Sequence, residues 1–207
     1  MQPPARGGPP VRWGEPPPGV IARALARVRS WFGTSAPAAG RPGLRPLPLA
    51  LRRSELAAEY LSADSAGDHA GAAQAATAAM RRAEADADWW PADLWGHRAL
   101  WHFEQAGMQL EATRAARLIG DLRSTAGDPA SSRRYYAEAI SEARDIGAEQ
   151  EQGLAALGMG RAAMDLSDVT TARRLGAIAL DLLERGGAPP GELDAARELR
   201  GTEKDVS

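Results

Sequence analysis

Apolar residues recur along most of this chain at the spacing of one helix face. Tyr136, Ala139, Ile140, Ala143 and Ile146 form one such stripe, and Ala172, Leu175, Ala179, Leu182 and Leu183 form another. The stripes are interrupted on a fixed lattice: Gly67, Gly107, Gly127, Gly147 and Gly187 stand multiples of 20 residues apart, with Ala87 and Ser167 at the intervening nodes. One helix plus one short turn fits each interval, since 17 helical residues rise about 25 Å before the chain must reverse. Asp128 followed by Pro129 reads as a helix start, and Asp168 after Ser167 repeats the capping logic. The pattern predicts helices over 53–66, 68–86, 91–106, 108–126, 129–146, 149–165 and 168–186, with a shorter one near 190–200. The fold class is all-α, a stack of antiparallel helical hairpins, each apolar face covered by a neighbouring helix.

A different grammar governs the N-terminal quarter. Residues 1–19 are dense in Pro and Gly and too poor in apolar side chains to offset the entropy of ordering, which predicts a disordered arm. Within 20–33, Ile21, Leu25, Val28 and Phe32 fall on one stripe with Trp31 beside it, while Arg23, Arg27 and Arg29 lie mostly off it, the pattern of a basic amphipathic helix. Residues 34–51 return to Pro, Gly and Ala and read as a linker, 52–200 as the repeat domain and 201–207 as a tail. Three fates are open to the helix at 20–33: docking on a partner or on its own repeats, lying on an anionic membrane surface, or staying inert.

Composition narrows the chemistry. No cysteine is present, which excludes disulfides, thiolate zinc sites and a cysteine nucleophile. Charge is split. Residues 1–53 carry nine arginines and one acid, a formal +8, whereas 54–207 carry 16 bases and 26 acids, a formal −10. Nucleic acid is not expected as a partner, because no reading helix or aromatic platform accompanies the basic arm and the acidic body would repel a phosphate backbone. The longest apolar stretch of the body, 175–180, is far too short to span a bilayer, and the apolar stretch at 19–32 is broken by arginines. The expected location is the cytoplasm, with a peripheral membrane position open through 20–33.

The run Leu118-Ile119-Gly120, then Ala126-Gly127-Asp128, then Tyr136 and Ala139 resembles a tetratricopeptide repeat, which has a Leu-Gly pair in its first helix, a Gly-Asp turn, and small and aromatic residues in its second. Gly160, Leu166-Ser167-Asp168, Ala172 and Ala179 make a weaker copy, and Gly67-Asp68 with Ala72 and Ala79 matches only the second-helix half. The chain departs from the pattern at Arg123, where the family usually has an aromatic, and in lacking a closing proline after Ala143. The resemblance implies a right-handed α-solenoid that binds a protein or peptide partner. Gly120 and Gly160 are expected to let helices approach closely, and Ala72, Ala79, Ala139, Ala172 and Ala179 to fit between them.

Aromatic residues concentrate in one window, with Trp89, Trp90, Trp95, Trp101 and Phe103 inside fifteen positions. Two readings compete. Trp95, Arg98, Trp101 and His102 could present a surface for a partner, since Trp and Arg are enriched at binding hot spots. Alternatively the rings fill a wide gap at one hairpin junction of an alanine-rich stack, with Arg98 and His102 lining its edge. Neither a metal nor a cofactor is expected: His97 and His102 are five apart, not the i, i+4 of a helical metal pair, and Gly158-Met159-Gly160 lacks the strand and the Lys-Ser or Lys-Thr of a phosphate loop. No nucleophile, base and oxyanion donors assemble, so the chain is expected to be a non-catalytic adaptor or scaffold. The alternatives are a membrane tether acting through Ile21, Leu25, Val28, Trp31 and Phe32, and a peptide-sensing regulatory module.

Overall fold

The computed structural model of the protein describes residues 47, 48, 51 and 54–201. The predicted arm, the amphipathic segment with Ile21, Leu25, Val28, Trp31 and Phe32, most of the linker and the tail lie outside the described residues. Among the described residues eight helices follow one another: α1 (Glu55–Ser65), α2 (His69–Ala85), α3 (Trp89–Gln105), α4 (Gln109–Thr125), α5 (Pro129–Asp145), α6 (Glu149–Asp165), α7 (Val169–Arg185) and α8 (Pro190–Arg200). Among the described residues there is no strand, and no helix is long and apolar enough to cross a membrane.

The six middle helices are each 17 residues long and start 20 residues apart. The turns impose that regularity. Every node residue adopts positive φ, from +54° at Ala87 and +62° at Ser167 to +85° at Gly127. This left-handed residue lets the next two amides turn back onto the helix they have just left: Gly127 N–H donates to Ser124 C=O at 3.0 Å and Asp128 N–H to Arg123 C=O at 2.8 Å. Equivalent bonds close the turns at 88 and 168, from Asp88 to Ala83 and from Asp168 to Ala163, both at 2.8 Å. At three nodes the next residue's side chain then caps the following helix. Asp68, Asp128 and Asp168 accept from the amides of Gly71, Ser131 and Thr171 at 2.9, 3.1 and 3.1 Å. Helix α3 opens two residues before the predicted Pro91, which sits in the first turn, where its missing N–H breaks no intrahelical bond.

Consecutive helices pack against each other, and α4, α6 and α8 also touch as second neighbours, so the stack has one face built from even-numbered helices. Packing is organised by a column of small residues at the same 20-residue spacing: Ala76, Gly96, Ala116, Ala156, Gly176 and Ala196 are all buried. Position 136 of this column holds a tyrosine, also buried. Room for it comes from across the interfaces: a Cβ at Gly120 would stand 2.8 Å from the Tyr136 ring, and one at Gly158 2.5 Å from it. Gly160 serves the close approach expected of it, because a Cβ there would meet Leu199 at 2.5 Å. Ala72, Ala79, Ala139, Ala172 and Ala179 are buried as expected.

The core forms two clusters, one from Leu47 to Ala155 of α6 and one from Ala156 of α6 to α8, with Ile140 packed against both. Short helices close the ends, and they turn polar residues outward: Glu55, Glu59 and Ser62 on α1, Asp194, Arg197 and Glu198 on α8. Within the segment expected as linker, Leu47 is buried in the first cluster and Leu51 packs against it.

Two consequences can be measured by urea denaturation. Ala87→Gly and Ser167→Gly each relieve a non-glycine residue at positive φ and should stabilise the chain by about 1 kcal/mol. Gly158→Ala drives a methyl into the Tyr136 ring and should destabilise by about 2 kcal/mol.

Candidate functional site

The tryptophan-rich window becomes α3, and the structure turns most of it inward. Trp95 is buried, edge-on to Tyr60 of α1 with ring centroids 5.2 Å apart. Arg98, only 2% exposed, holds its guanidinium 5.9 Å from the centroids of both rings. His102 is 0% exposed, Trp101 is half-buried, and Trp90 is the ring that reaches solvent. Of the expected partner surface of Trp95, Arg98, Trp101 and His102, the structure places three side chains in the interior and Trp101 at its boundary. The reason is that α3 is covered by α2 and α4 on its flanks and by Tyr60, while α2 brings mainly alanines to the junction, so large side chains must fill it. Arg98 and His102 do not line an edge; they lie at its centre.

Around His102 the polar groups form a directed chain. Tyr60 accepts a hydrogen bond from Arg98. Its own proton is then free for His102 Nε2 at 3.1 Å, which leaves the proton on Nδ1 to face His69 Nδ1, also at 3.1 Å. Burial pushes His102 down to about 4, opposed by Asp64, whose carboxylate stands 3.6 Å from Nε2, and reinforced by His69 and Arg98. Burial likewise raises the Tyr60 hydroxyl to about 12, with Arg98 partly offsetting it.

A second polar cluster joins α3, α4 and α5. Arg123, at the position where an aromatic was expected, makes two parallel 3.0 Å bonds to Asp93 and lies 5.0 Å over the Tyr135 ring. The aromatic is thus supplied by the next helix, with the guanidinium sandwiched between ring and carboxylate. His97 Nδ1 donates to the Asp93 carbonyl at 2.7 Å, so its Nε2 accepts from Tyr135 at 2.9 Å. Burial holds His97 below the ordinary histidine range despite the opposing charge of Asp93.

The third cluster is the one that reaches solvent, and it lies on the face of the even-numbered helices. Tyr136 donates to Asp121 at 2.8 Å from the floor of this face. Arg117 bridges Asp121 at 2.7 Å and Glu151 of α6 at 3.1 Å, and Arg114 reaches Glu151 at 2.9 Å. Burial raises the Asp121 carboxyl against the pull of Arg117, Tyr136 and Arg161; Glu84 of α2 is raised first by its own burial and then by Asp121. Glu151 is 7% exposed, whereas the Arg114 side chain is 47% exposed and Arg161 is open to solvent. None of Arg114, Arg117, Asp121 or Glu151 stood out in the sequence. The available signal was the 3 and 4 spacing of 114, 117 and 121, which puts them on one helical stripe. What could not be read was that Glu151 comes to meet them.

No protein-family model matches the chain, and no curated protein matches it.

The buried Asp93–Arg123 pair makes a clear prediction. Arg123→Ala strands a carboxylate and should cost about 3 kcal/mol in urea denaturation, while Arg123→Met combined with Asp93→Leu should recover most of that loss. Equal losses in the single and double variants would mean that packing, not charge pairing, dominates at this site.

Proposed function

We propose that the chain is a non-catalytic helical-repeat module of tetratricopeptide-like kind, which holds a protein or peptide segment across the face formed by α2, α4 and α6. Kinship of that kind is supported by the helical hairpins, the small-residue column and the left-handed turn residues; the 40-residue hairpin is longer than the roughly 34 residues usual for such repeats. The observation that carries the binding role is the pair of accessible guanidiniums, Arg114 and Arg161, set beside the ordered chain Asp121, Arg117 and Glu151. Arg117 is already fixed by two carboxylates, so this part of the face loses little side-chain freedom when a ligand settles on it. Carboxylates of a partner would meet Arg114 and Arg161, and backbone amides would meet Asp121 and Glu84. A binding role is favoured over catalysis because the groups with the most displaced protonation, His97, His102, Tyr135 and Tyr136, are committed to contacts between helices.

The test is site-directed photocrosslinking in the full chain within its native cell. A photoreactive residue at position 164, exposed one turn along α6 from Arg161, should give a discrete protein adduct that Arg114→Glu abolishes, whereas one at position 134, exposed on α5, should give none. Equal adducts from the two positions, or none from 164, would overturn the assignment.

A further inference from the structure

The first helix among the described residues, α1, is held by a polar contact that tolerates little protonation. It is 11 residues long, packs chiefly on α2, and reaches α3 through Tyr60. The Tyr60 hydroxyl meets His102 Nε2 at 3.1 Å, and on the other side of the same imidazole His102 Nδ1 meets His69 Nδ1 at 3.1 Å. Two Nδ1 atoms at that distance share one hydrogen between them; a second hydrogen places two donors face to face. One added proton on the pair already changes the chain, because His102 must then present N–H to Tyr60, whose oxygen is receiving a bond from Arg98. The charges acting on His102 come from every element around it: Asp64 from α1, which favours the protonated ring, and His69 from α2 and Arg98 from α3, which oppose it. Asp64 is 44% exposed and its carboxylate is 3.6 Å from Nε2, too screened and too distant to compensate for an imidazolium that is itself fully enclosed.

We infer that Tyr60, His69 and His102 form an acid-sensitive latch that holds α1, and with it the chain entering at Leu47, on α2 and α3. Opening of the latch withdraws Tyr60 from Trp95 and lifts Leu47 and Leu51 from the first core cluster, baring an apolar surface that is covered at neutral pH. The sign follows from linkage. His102 is harder to protonate in the closed state than in the opened one, so the opened state binds protons more readily and gains population as pH falls from the ordinary histidine range toward about 4, with no further gain below that. At pH 5 the local opening equilibrium should be on the order of 30-fold greater than at pH 7.5. A short terminal helix is where such a change is felt first, since its local opening needs far less free energy than global unfolding.

Amide hydrogen exchange of the full chain, corrected for intrinsic rates, reads this directly. Between pH 7.5 and pH 5 the opening constant of α1 amides from Ala57 to Leu61 should rise on the order of 30-fold, while amides of α6 change much less. His102→Gln removes the titrating ring and should abolish the rise. Should that chain fail to fold, Asp64→Asn, at an exposed position, serves instead: losing the one favourable charge, it should steepen the rise below pH 5. An α1 opening constant independent of pH, the same rise in His102→Gln, or a shallower rise in Asp64→Asn would each overturn the latch.

Discussion

The left-handed residue at every twentieth position is the constraint on which the rest of this structure depends. It ends each of the six middle helices after the same number of turns and sends the chain back within three residues, so that equivalent positions of successive helices face one another. Only with that register does a column of small residues run from α2 to α8, interrupted at Tyr136, and let the helices approach closely. Five glycines meet the demand without steric cost. Ala87 and Ser167 meet it under strain, held there by the two hydrogen bonds that close each turn.

Where a large or charged side chain enters this frame, its neighbours give way or complement it. Tyr136 occupies a small-residue position because Gly120 and Gly158 each leave out a side chain beside its ring. Arg123 takes the place of an aromatic, and Asp93 and Tyr135 enclose its guanidinium so that a buried charge is both paired and stacked. At the α2–α3 junction, alanine-rich α2 is matched by Trp95, Arg98 and His102 from α3, the imidazole of His102 meeting Tyr60 and His69. These are local exchanges of volume and charge across interfaces, and each leaves the 20-residue register intact.

The same distinction explains what could be read from the chain beforehand. Helix number, order and limits were legible because they follow from local signals: the glycine lattice, the Asp caps and the apolar periodicity. Position 87 was identifiable as a turn although it carries alanine, since the lattice outweighs the residue's own preference. Which side of α3 faces outward was not legible, because that depends on how much volume α2 and Tyr60 bring to the junction. For this reason the interior position of Trp95, Arg98 and His102 could not be read from the sequence. Nor was the Asp121, Arg117, Glu151 and Arg114 face legible, since it is assembled by α4 and α6 from residues more than 30 positions apart. Pairings across a helical stack are set by the rise and rotation per hairpin, which no short window of sequence contains.

Register also links the fold to the proposed binding face, because Arg114, Arg117 and Asp121 meet Glu151 and Arg161 only while α4 and α6 keep their relative rotation. The most direct measurement of that dependence compares two one-alanine insertions in the full chain by urea denaturation. An alanine inserted after Arg133 rotates Tyr136 by about 100° relative to the turn that sets it, whereas one inserted in the polar tail after Gly201 leaves every helix in place. The first insertion should cost at least about 3 kcal/mol or remove the cooperative transition, and the second should be neutral. A tolerated insertion after Arg133, with the transition midpoint and slope unchanged, would contradict the claim that the twenty-residue register governs this structure.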